Sequence, residues 1–437
     1  MHPRISTHST AIAIFAALVI SLQFAQAQQK NQPPQYYVFN LGSPLGGPSA
    51  AAASINNVGW IAGDAYPTST TEHAELWVGV PLDLGTLGGP NSAVGWPNKN
   101  DRGEIAGIAE TAEMNVLGEA WSCALANFFG PDGYICYGFV WQDGVMTALP
   151  PLPGGLDSYA SAVNNHDQVV GWAENGVHDS SCNPPQVLQF EAIIWGPELG
   201  QMRQLPPLSP DPDSAATAIN DKGQVVGISG LCSNAVGGAS AQHAVLWQNG
   251  TPINLGNFDG GVAWNTPTAI NNRSEVVGFG NLPNTQDDAL NPVAFMWTQA
   301  RGIQQIAPLS GDGNDWAWGV NIKGQVVGQS FTFGGNARAF LYQDGLNTDL
   351  NSLIQPDSSL YLLLANDIND SGEIVGYASD SVTGETVAFL AVPVSGSNVE
   401  AVRSRARAQG SSQKLRSANN QSQLPFSRFA PGASGSK

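Results

Sequence analysis

Positive charge is what this chain has least of. Only 17 residues are Lys or Arg, against 35 Asp or Glu, and the formal net charge is −18. A deficit of cations argues against nucleic acid as a partner, because phosphate binding draws on Lys and Arg. It favours solubility and leaves room for bound cations. Cysteines number four, and their spacing fits no zinc pattern. No apolar run beyond the N-terminal segment is long enough to cross a bilayer, so no transmembrane segment is expected in the mature chain. Gly-x-Ser-x-Gly elbows, phosphate loops and His-Glu-x-x-His helices are missing too. That removes the local catalytic signatures, but not an active site assembled from separate repeats.

Glycine is plentiful, at 50 residues, and it recurs in register. The segment Asn220-Asp221-Lys222-Gly223-Gln224-Val225-Val226-Gly227 has seven variants, ending at Gly63, Gly107, Gly171, Gly227, Gly278, Gly328 and Gly376. From Gly63 to Gly376 the mean spacing is roughly 52 residues, near that of kelch-type blades. A second signature follows each copy. It reads His73-Ala74-Glu75-Leu76-Trp77, His243-Ala244-Val245-Leu246-Trp247 or Arg338-Ala339-Phe340-Leu341-Tyr342.

Each unit holds four short strand candidates. Strand a is typified by Ile253-Asn254-Leu255, b by residues 214–219, c by the Val-Val pair and d by the segment ending in Trp. Asn220 to Gly223 forms a tight turn between b and c. Asp143-Gly144, Asn249-Gly250 and Asp344-Gly345 lie between d and the next a, where Asn-Gly and Asp-Gly signal hairpins through their tolerance of positive φ. Consecutive apolar residues such as Val225-Val226 require both sheet faces to be covered. Four-stranded blades around an axis meet that need and leave short edges. The expected fold is therefore all-β, a seven-bladed β-propeller of four-stranded antiparallel blades, with an open β-solenoid as the alternative. In the propeller, the strand at 36–41 is left over, and it is expected to pair with the last d strand and complete the final blade.

These signatures, with Leu84-Gly85-Thr86-Leu87-Gly88-Gly89, resemble the HAF-repeat family of bacterial extracellular repeat proteins over about residues 36–394. The resemblance implies a secreted repeat protein and brings no functional residues with it.

Residues 1–27 have the pattern of a secretory signal peptide: Arg4, an apolar run from Ala11 to Leu22, and Ala25-Gln26-Ala27 as a cleavage site. The repeat domain is assigned to 28–399. Residues 400–437 carry seven basic residues and one acid and are expected to be a disordered basic tail. Without signal and tail, 9 basic residues face 34 acids.

An exported chain with an even number of cysteines points to disulfides. Four cysteines allow three connectivities, of which Cys123–Cys136 and Cys182–Cys232 is favoured. The first would close one long insertion, and the second would join equivalent loops of neighbouring blades.

The c–d loops of repeats two to five are long and variable, and such loops on a rigid scaffold commonly carry function. Trp121, Phe128, Phe129, Asp132 and Tyr134 in the second of them are candidates for stacking on sugars or anchoring a protein, or else form a small satellite core. Glu110, Glu113, Asp132, Glu174, Asp179, Asp287 and Asp288 could supply the carboxylate pair of a glycosidase or lyase, and spacing does not choose among them. His73 and His243 share a repeat position that also holds Tyr, Glu, Val and Arg, which favours a strand-start surface site over a metal ligand. Three acidic turns, Asp211-Pro212-Asp213, Asp312 to Asp315 and Asn369 to Glu373, contain calcium-type ligands but also the residues that turns require. Calcium is thus the one cofactor considered. The functional expectation is a secreted, non-enzymatic scaffold that binds a glycan or protein through its long loops. The alternatives are an extracellular carbohydrate-active enzyme using the same face, and a structural surface or matrix protein.

Overall fold

The computed structural model describes residues 34–42, 47, 49–68, 70–119, 133–198, 200–235, 242–258, 265–282, 292–332, 334–335 and 337–394. Residues 1–27 and 400–437, the expected signal peptide and basic tail, lie outside these residues.

The fold is all-β and compatible with a β-propeller. After β1 (Gln35–Asn40), strands follow in sets of four. The first set is β2 (Ser49–Ile55), β3 (Ile61–Tyr66), β4 (His73–Val78) and β5 (Val80–Asp83). The second is β6 (Gly88–Ala93), β7 (Ile105–Met114), β8 (Tyr134–Gln142) and β9 (Val145–Leu149). The third is β10 (Gly154–Val163), β11 (Val169–His178), β12 (Leu188–Trp195) and β13 (Met202–Leu205). The fourth is β14 (Asp213–Ile219), β15 (Val225–Gly230), β16 (His243–Gln248) and β17 (Thr251–Gly256). Next come β18 (Asn265–Ile270), β19 (Val276–Asn281), β20 (Pro292–Thr298) and β21 (Gly302–Gln305), then β22 (Asn314–Val320), β23 (Val326–Phe331), β24 (Ala337–Gln343) and β25 (Leu346–Asp349). The last three are β26 (Leu360–Ile368), β27 (Ile374–Asp380) and β28 (Thr386–Val394).

Five sets are separate four-stranded antiparallel meanders in the order b-c-d-a, as the turn chemistry predicts. The remaining strands form one eight-stranded sheet, in which β2–β5 touch β28 through a single parallel bridge, Ser49 to Thr386. β1 pairs antiparallel with β28, from Gln35 opposite Val394 to Asn40 opposite Phe389. The leftover first strand thus lies beside the last d strand, one residue earlier than the sequence indicates. The b and c strands are buried along their whole length in β14 and β15.

The b–c turns hold the sheets together. In all seven, the fourth residue has positive φ, between 57° and 92°: five glycines, Asp167 and Ser274. That left-handed residue lets the first residue, always Asn, fold its side chain over its own turn. Asn220 Oδ1 accepts from the N–H groups of Lys222 and Gln224, both at 3.0 Å, while its Nδ2 donates to Gln224 Oε1 at 2.8 Å. The second Nδ2 hydrogen reaches the next turn, donating to Asn271 O at 3.0 Å. The same step runs from Asn56 to 100, 164, 220, 271, 321 and 369, and Asn369 donates back to Asn56 O. These seven bonds of 2.8–3.2 Å form a closed cycle. A second circle lies outside it, made by the next residue of each turn. Asn57, Asp101, Asn165, Asp221, Asn272 and Asp370 each accept a backbone N–H from the preceding turn. Ile322 has no acceptor, so that circle lacks one link.

The final glycine of each repeat signature is a steric requirement. A Cβ on Gly171 would lie 1.8 Å from Tyr159 O, and one on Gly227 would lie 2.0 Å from Ala215 O, because strand b bulges against c at this level. The bulge residue joins neighbouring sheets: Ser161, Thr217 and Thr268 donate to Ala216 O, Pro267 O and Ala317 O, and Asn366 donates to Ala52 O.

Between adjacent sheets the strand d tryptophans are buried with the Val pairs. One such core combines Val170, Ile194 and Leu205 with Ile219, Val245 and Trp247. A separate core lies along the b strands. Six b strands contribute to it, and Trp96, Trp172, Trp316, Trp318, Phe279 and Tyr159 fill it. Below it, Lys99 of the second set reaches the wholly buried Asp367 of the last set.

Replacing Asn220 with Ala should unfold this network locally. It removes four hydrogen bonds and leaves buried partners unsatisfied, at a cost of about 2–4 kcal/mol. Lys222→Ala, at the exposed third position of the same turn, should change stability by no more than about 0.5 kcal/mol. Denaturant unfolding of the two variants checks the contrast, and equal effects would contradict the role given to the asparagine.

Candidate functional site

The c–d side differs from the b–c side in every respect. Its connections vary in length, and several are tied to the neighbouring sheet. Cys182 and Cys232 are disulfide-bonded, with Cα atoms 4.6 Å apart, as the loop equivalence predicts. Cys232 opens a four-residue helical turn, α1 (Cys232–Ala235), and the N–H groups of Cys232 and Ser233 donate to Ser181 Oγ and O. Cys136 lies within β8 and is also disulfide-bonded; Cys123, its expected partner, lies outside the described residues.

Most of the candidate aromatic cluster cannot be placed: Trp121, Phe128, Phe129 and Asp132 lie outside the described residues, as do Asp287 and Asp288. Tyr134 is half-buried at the start of β8, across from Met114.

A polar residue of strand b stitches several sheets to their predecessors. Asn91 Oδ1 accepts from Glu72 N, Asp157 Oδ1 from Cys136 N, and Asp213 Oδ1 from Phe190 N. Where the residue is Asp, the carboxyl is buried at a cost. Burial, then a hydrogen bond with Asp179, pushes Asp213 up to about 8. Asp179 is itself desolvated, but hydrogen bonds with Asp213 and Ser181 hold it below the usual carboxylate range. A proton kept on Asp213 and donated to Asp179 accounts for both shifts.

Asp157 lies in a denser arrangement. Glu119, Asp157 and Glu174 are each at most 2% exposed, and they offer oxygens within 4.8 Å of one another. Glu119 stands just after the turn that follows β7, and its Oε1 accepts from Val187 N, Leu188 N and Gln186 Nε2. Glu174 Oε2 accepts from the N–H groups of Leu156 and Asp157, and its Oε1 from Gln186 Nε2. Asn115 Nδ2 donates to Asp157 Oδ2. Burial, then the Glu174 charge, pushes Glu119 up to about 7 and Asp157 well above its ordinary value. Of these three acids, sequence reasoning singled out only Glu174. The available signal for Asp157 was its position, which carries Asn in Asn91, Asn265 and Asn314.

The other sequence candidates have structural partners. Glu110 Oε2 accepts from Asn91 Nδ2, and Glu113 is exposed. The acidic turns are bonded as turns and staples: Asp211 to His243 and Ser229, Asp312 to Arg338, Asp315 to Ala294 N, and Asp370 to Ile322 N. His73 and His243 are not plain surface residues. Both are half-buried against a carboxylate, His73 with Asp83 at 2.9 Å and His243 with Asp211 at 2.8 Å. Arg338, in the same repeat position, pairs with Asp312 and Asp349, so this slot takes a hydrogen-bonding side chain that reaches an acid of a neighbouring strand or loop.

On the opposite side, an open groove of about 420 Å³ lies between the second and third sets, with Glu104, Asp167, Glu198, Trp195 and Met202 along it. Burial, then Asp167, pushes Glu104 up to about 7.

No protein-family model matches the sequence, and no curated protein is similar to it. Among solved structures, the chain is similar to the uncomplexed acylaminoacyl peptidase of Pyrococcus horikoshii at 10% identity and a TM-score of 0.44, over 81% of this chain and 54% of that one. The match thus spans about half the peptidase's length. A triple mutant of AofleA from Arthrobotrys oligospora matches at 9% identity and a TM-score of 0.34, over 72% and 85% of the two chains. The Aleuria aurantia lectin matches at 8% identity and 0.29, over 83% and 98%.

Glu75 provides a pH test of buried carboxyls in this fold. It is fully buried, neither oxygen has a hydrogen-bond partner, and it occupies the position of Val245, Phe295 and Phe340. Burial, then Asp64 and Asp83, pushes it up to about 9. The folded state therefore holds this proton more tightly than the unfolded state. The associated stability is complete below about pH 4.5 and is lost progressively up to about pH 9. Glu75→Val should gain on the order of 1–3 kcal/mol at pH 7 and flatten the stability profile between those limits. Thermal unfolding across that range checks it, and a variant less stable than the parent at pH 8 would refute it.

Proposed function

We propose that the chain is a secreted seven-bladed β-propeller that binds an extracellular partner through its c–d side and does not itself catalyse a reaction. The seven-membered asparagine cycle and the pairing of β1 with β28 support seven blades. The disulfide, the signal-peptide pattern and the resemblance to HAF-repeat proteins support export.

The observation that carries the binding reading is the contrast between the two sides. Each b–c turn is the same five-residue unit, saturated with hydrogen bonds to its neighbours. The c–d connections depart from the repeat, and a disulfide and buried polar groups brace them. Variation on a rigid frame is how recognition surfaces are built. Aliphatic side chains are exposed along this side, including Val116 at 85%, Met114, Leu117, Val177 and Leu231. Such groups suit a protein partner better than a sugar ring, although a glycan held by the loop aromatics remains the alternative. The enzyme reading is weaker, because the described candidate acids other than Glu113 are engaged in hydrogen bonds that hold strands and loops in place.

The test is thermal unfolding and binding of the full oxidised chain against extracellular proteins and a polysaccharide panel. A ligand of the folded state at a hundredfold excess over Kd adds about 2.7 kcal/mol. Val177→Asp and Leu231→Asp should abolish that shift, and Lys222→Glu on the other side should leave it intact. The reverse pattern would place the site on the b–c side. Turnover lost on a single carboxylate substitution would replace binding with catalysis.

A further inference from the structure

The second and third sets solve the same packing problem in different ways. In the second, Asn91 of strand b donates from Nδ2 to Glu110 Oε2 at 2.8 Å. In the third, Asp157 takes the place of Asn91 and Glu174 the place of Glu110. An amide–carboxylate pair has become two carboxylates, and Glu119 adds a third. Among the described residues, no ion pair reaches Glu119 or Asp157. Two buried carboxyl groups that no ion pair reaches, set against a third, are costly, so protons or a cation must neutralise the charge.

The bonding of Glu119 decides between these. Its Oε1 is fully used by two backbone N–H groups and an amide. Its Oε2, equally buried, makes no hydrogen bond of normal geometry, and the nearby Asn115 amide donates to Asp157 Oδ2 instead. A carboxyl group retained only for its proton would place that oxygen at hydrogen-bond distance from a neighbouring carboxylate, as a donor or an acceptor. Spacing within 4.8 Å is instead what one ion bridges when its oxygen ligands lie at about 2.3–2.6 Å.

We propose that Glu119, Asp157 and Glu174 form a binding site for a single calcium ion. All three donors are hard oxygens, and the nearby sulfur, Cys136, is tied up in a disulfide. That donor set selects calcium over zinc or copper, and the side-chain oxygen of Gln186, backbone carbonyls and water can complete six to eight ligands. Calcium would fasten the segment after β7 to β10 and β11, locking the entrance of the longest c–d connection onto the next sheet. The inference does not depend on what the c–d side binds.

The experiment uses the full oxidised chain after chelation, titrated with CaCl₂ or MgCl₂ by calorimetry at pH 7, with thermal unfolding in parallel. One calcium per chain is expected, with a raised unfolding midpoint and proton release that shows up as a dependence on buffer ionisation heat. Glu119→Gln and Asp157→Asn should each weaken binding about tenfold or more. Asp157→Asn restores the residue type found at Asn91 and is expected to fold, and Glu110→Gln, in the equivalent pair of the second set, should bind as the parent does. Failure of the parent to bind calcium overturns the site, and so does undiminished binding in both triad variants. A parent that ignores calcium while Glu119→Gln is more stable at pH 7 would assign the cluster to shared protons.

Discussion

The frame of this structure depends on a carboxamide that makes four hydrogen bonds in six of its turns and three at Asn56. Each b–c asparagine satisfies two N–H groups of its own turn, and its remaining Nδ2 hydrogen is committed to the carbonyl of the next turn. Because the last asparagine returns to the first, no turn of the set is terminal. Such a cycle tolerates no change in turn length, since an added residue would move both the acceptor carbonyl and the donor amide. The positive φ at the fourth position follows from the same demand, for only a left-handed residue brings the fifth N–H back to the Asn oxygen. This explains why glycine dominates there and why Asp and Ser are the substitutes.

A frame fixed on one side leaves the other side free to diverge. The c–d connections are bounded only by the ends of c and d, and a disulfide or a buried side chain is enough to anchor them. Additional polar bonding concentrates where the connections are longest. Glu119 holds the segment after β7 to the start of β12, Ser181 meets Cys232 and Ser233, and Asp213 meets Asp179. Each link crosses from one sheet to the next, so the variable side gains its rigidity locally rather than from a closed cycle.

The repeat, the strand order, the place of the first strand and the Cys182–Cys232 bond were legible in the sequence, because each follows from periodicity or from turn chemistry with short range. Three features were not. The core along the b strands is built from Trp96, in an insertion, and from Trp316 and Trp318, at b-strand positions whose counterparts range from Ala to Leu364 and Tyr159. Their meeting depends on closure, which no local pattern encodes. The His73–Asp83 and His243–Asp211 pairs were missed because their partners lie 10 and 32 residues away in different directions. Asp157 is not legible because an Asp just after Pro153-Gly154-Gly155 reads as turn chemistry. The candidate aromatics of residues 121–129 were chosen for their composition, which says nothing about position.

What distinguishes this chain from a generic repeat array is where it breaks its own pattern. Eleven described acids are buried, and seven of them lie between Asp64 and Glu174. At Glu75 the sister repeats carry Val, Ile or Phe, and at Asp157 three of them carry Asn, one Asp and one Ser. An apolar or amide side chain would satisfy the scaffold at either position at lower cost, as it does in the other sheets. Folding alone therefore does not account for acids concentrated in the first three sets. They lie at strand ends or strand middles facing the c–d half, on the side that the asparagine cycle does not constrain. In a molecule whose repeats are explained so fully by packing, departures from the repeat are the places to look for chemistry.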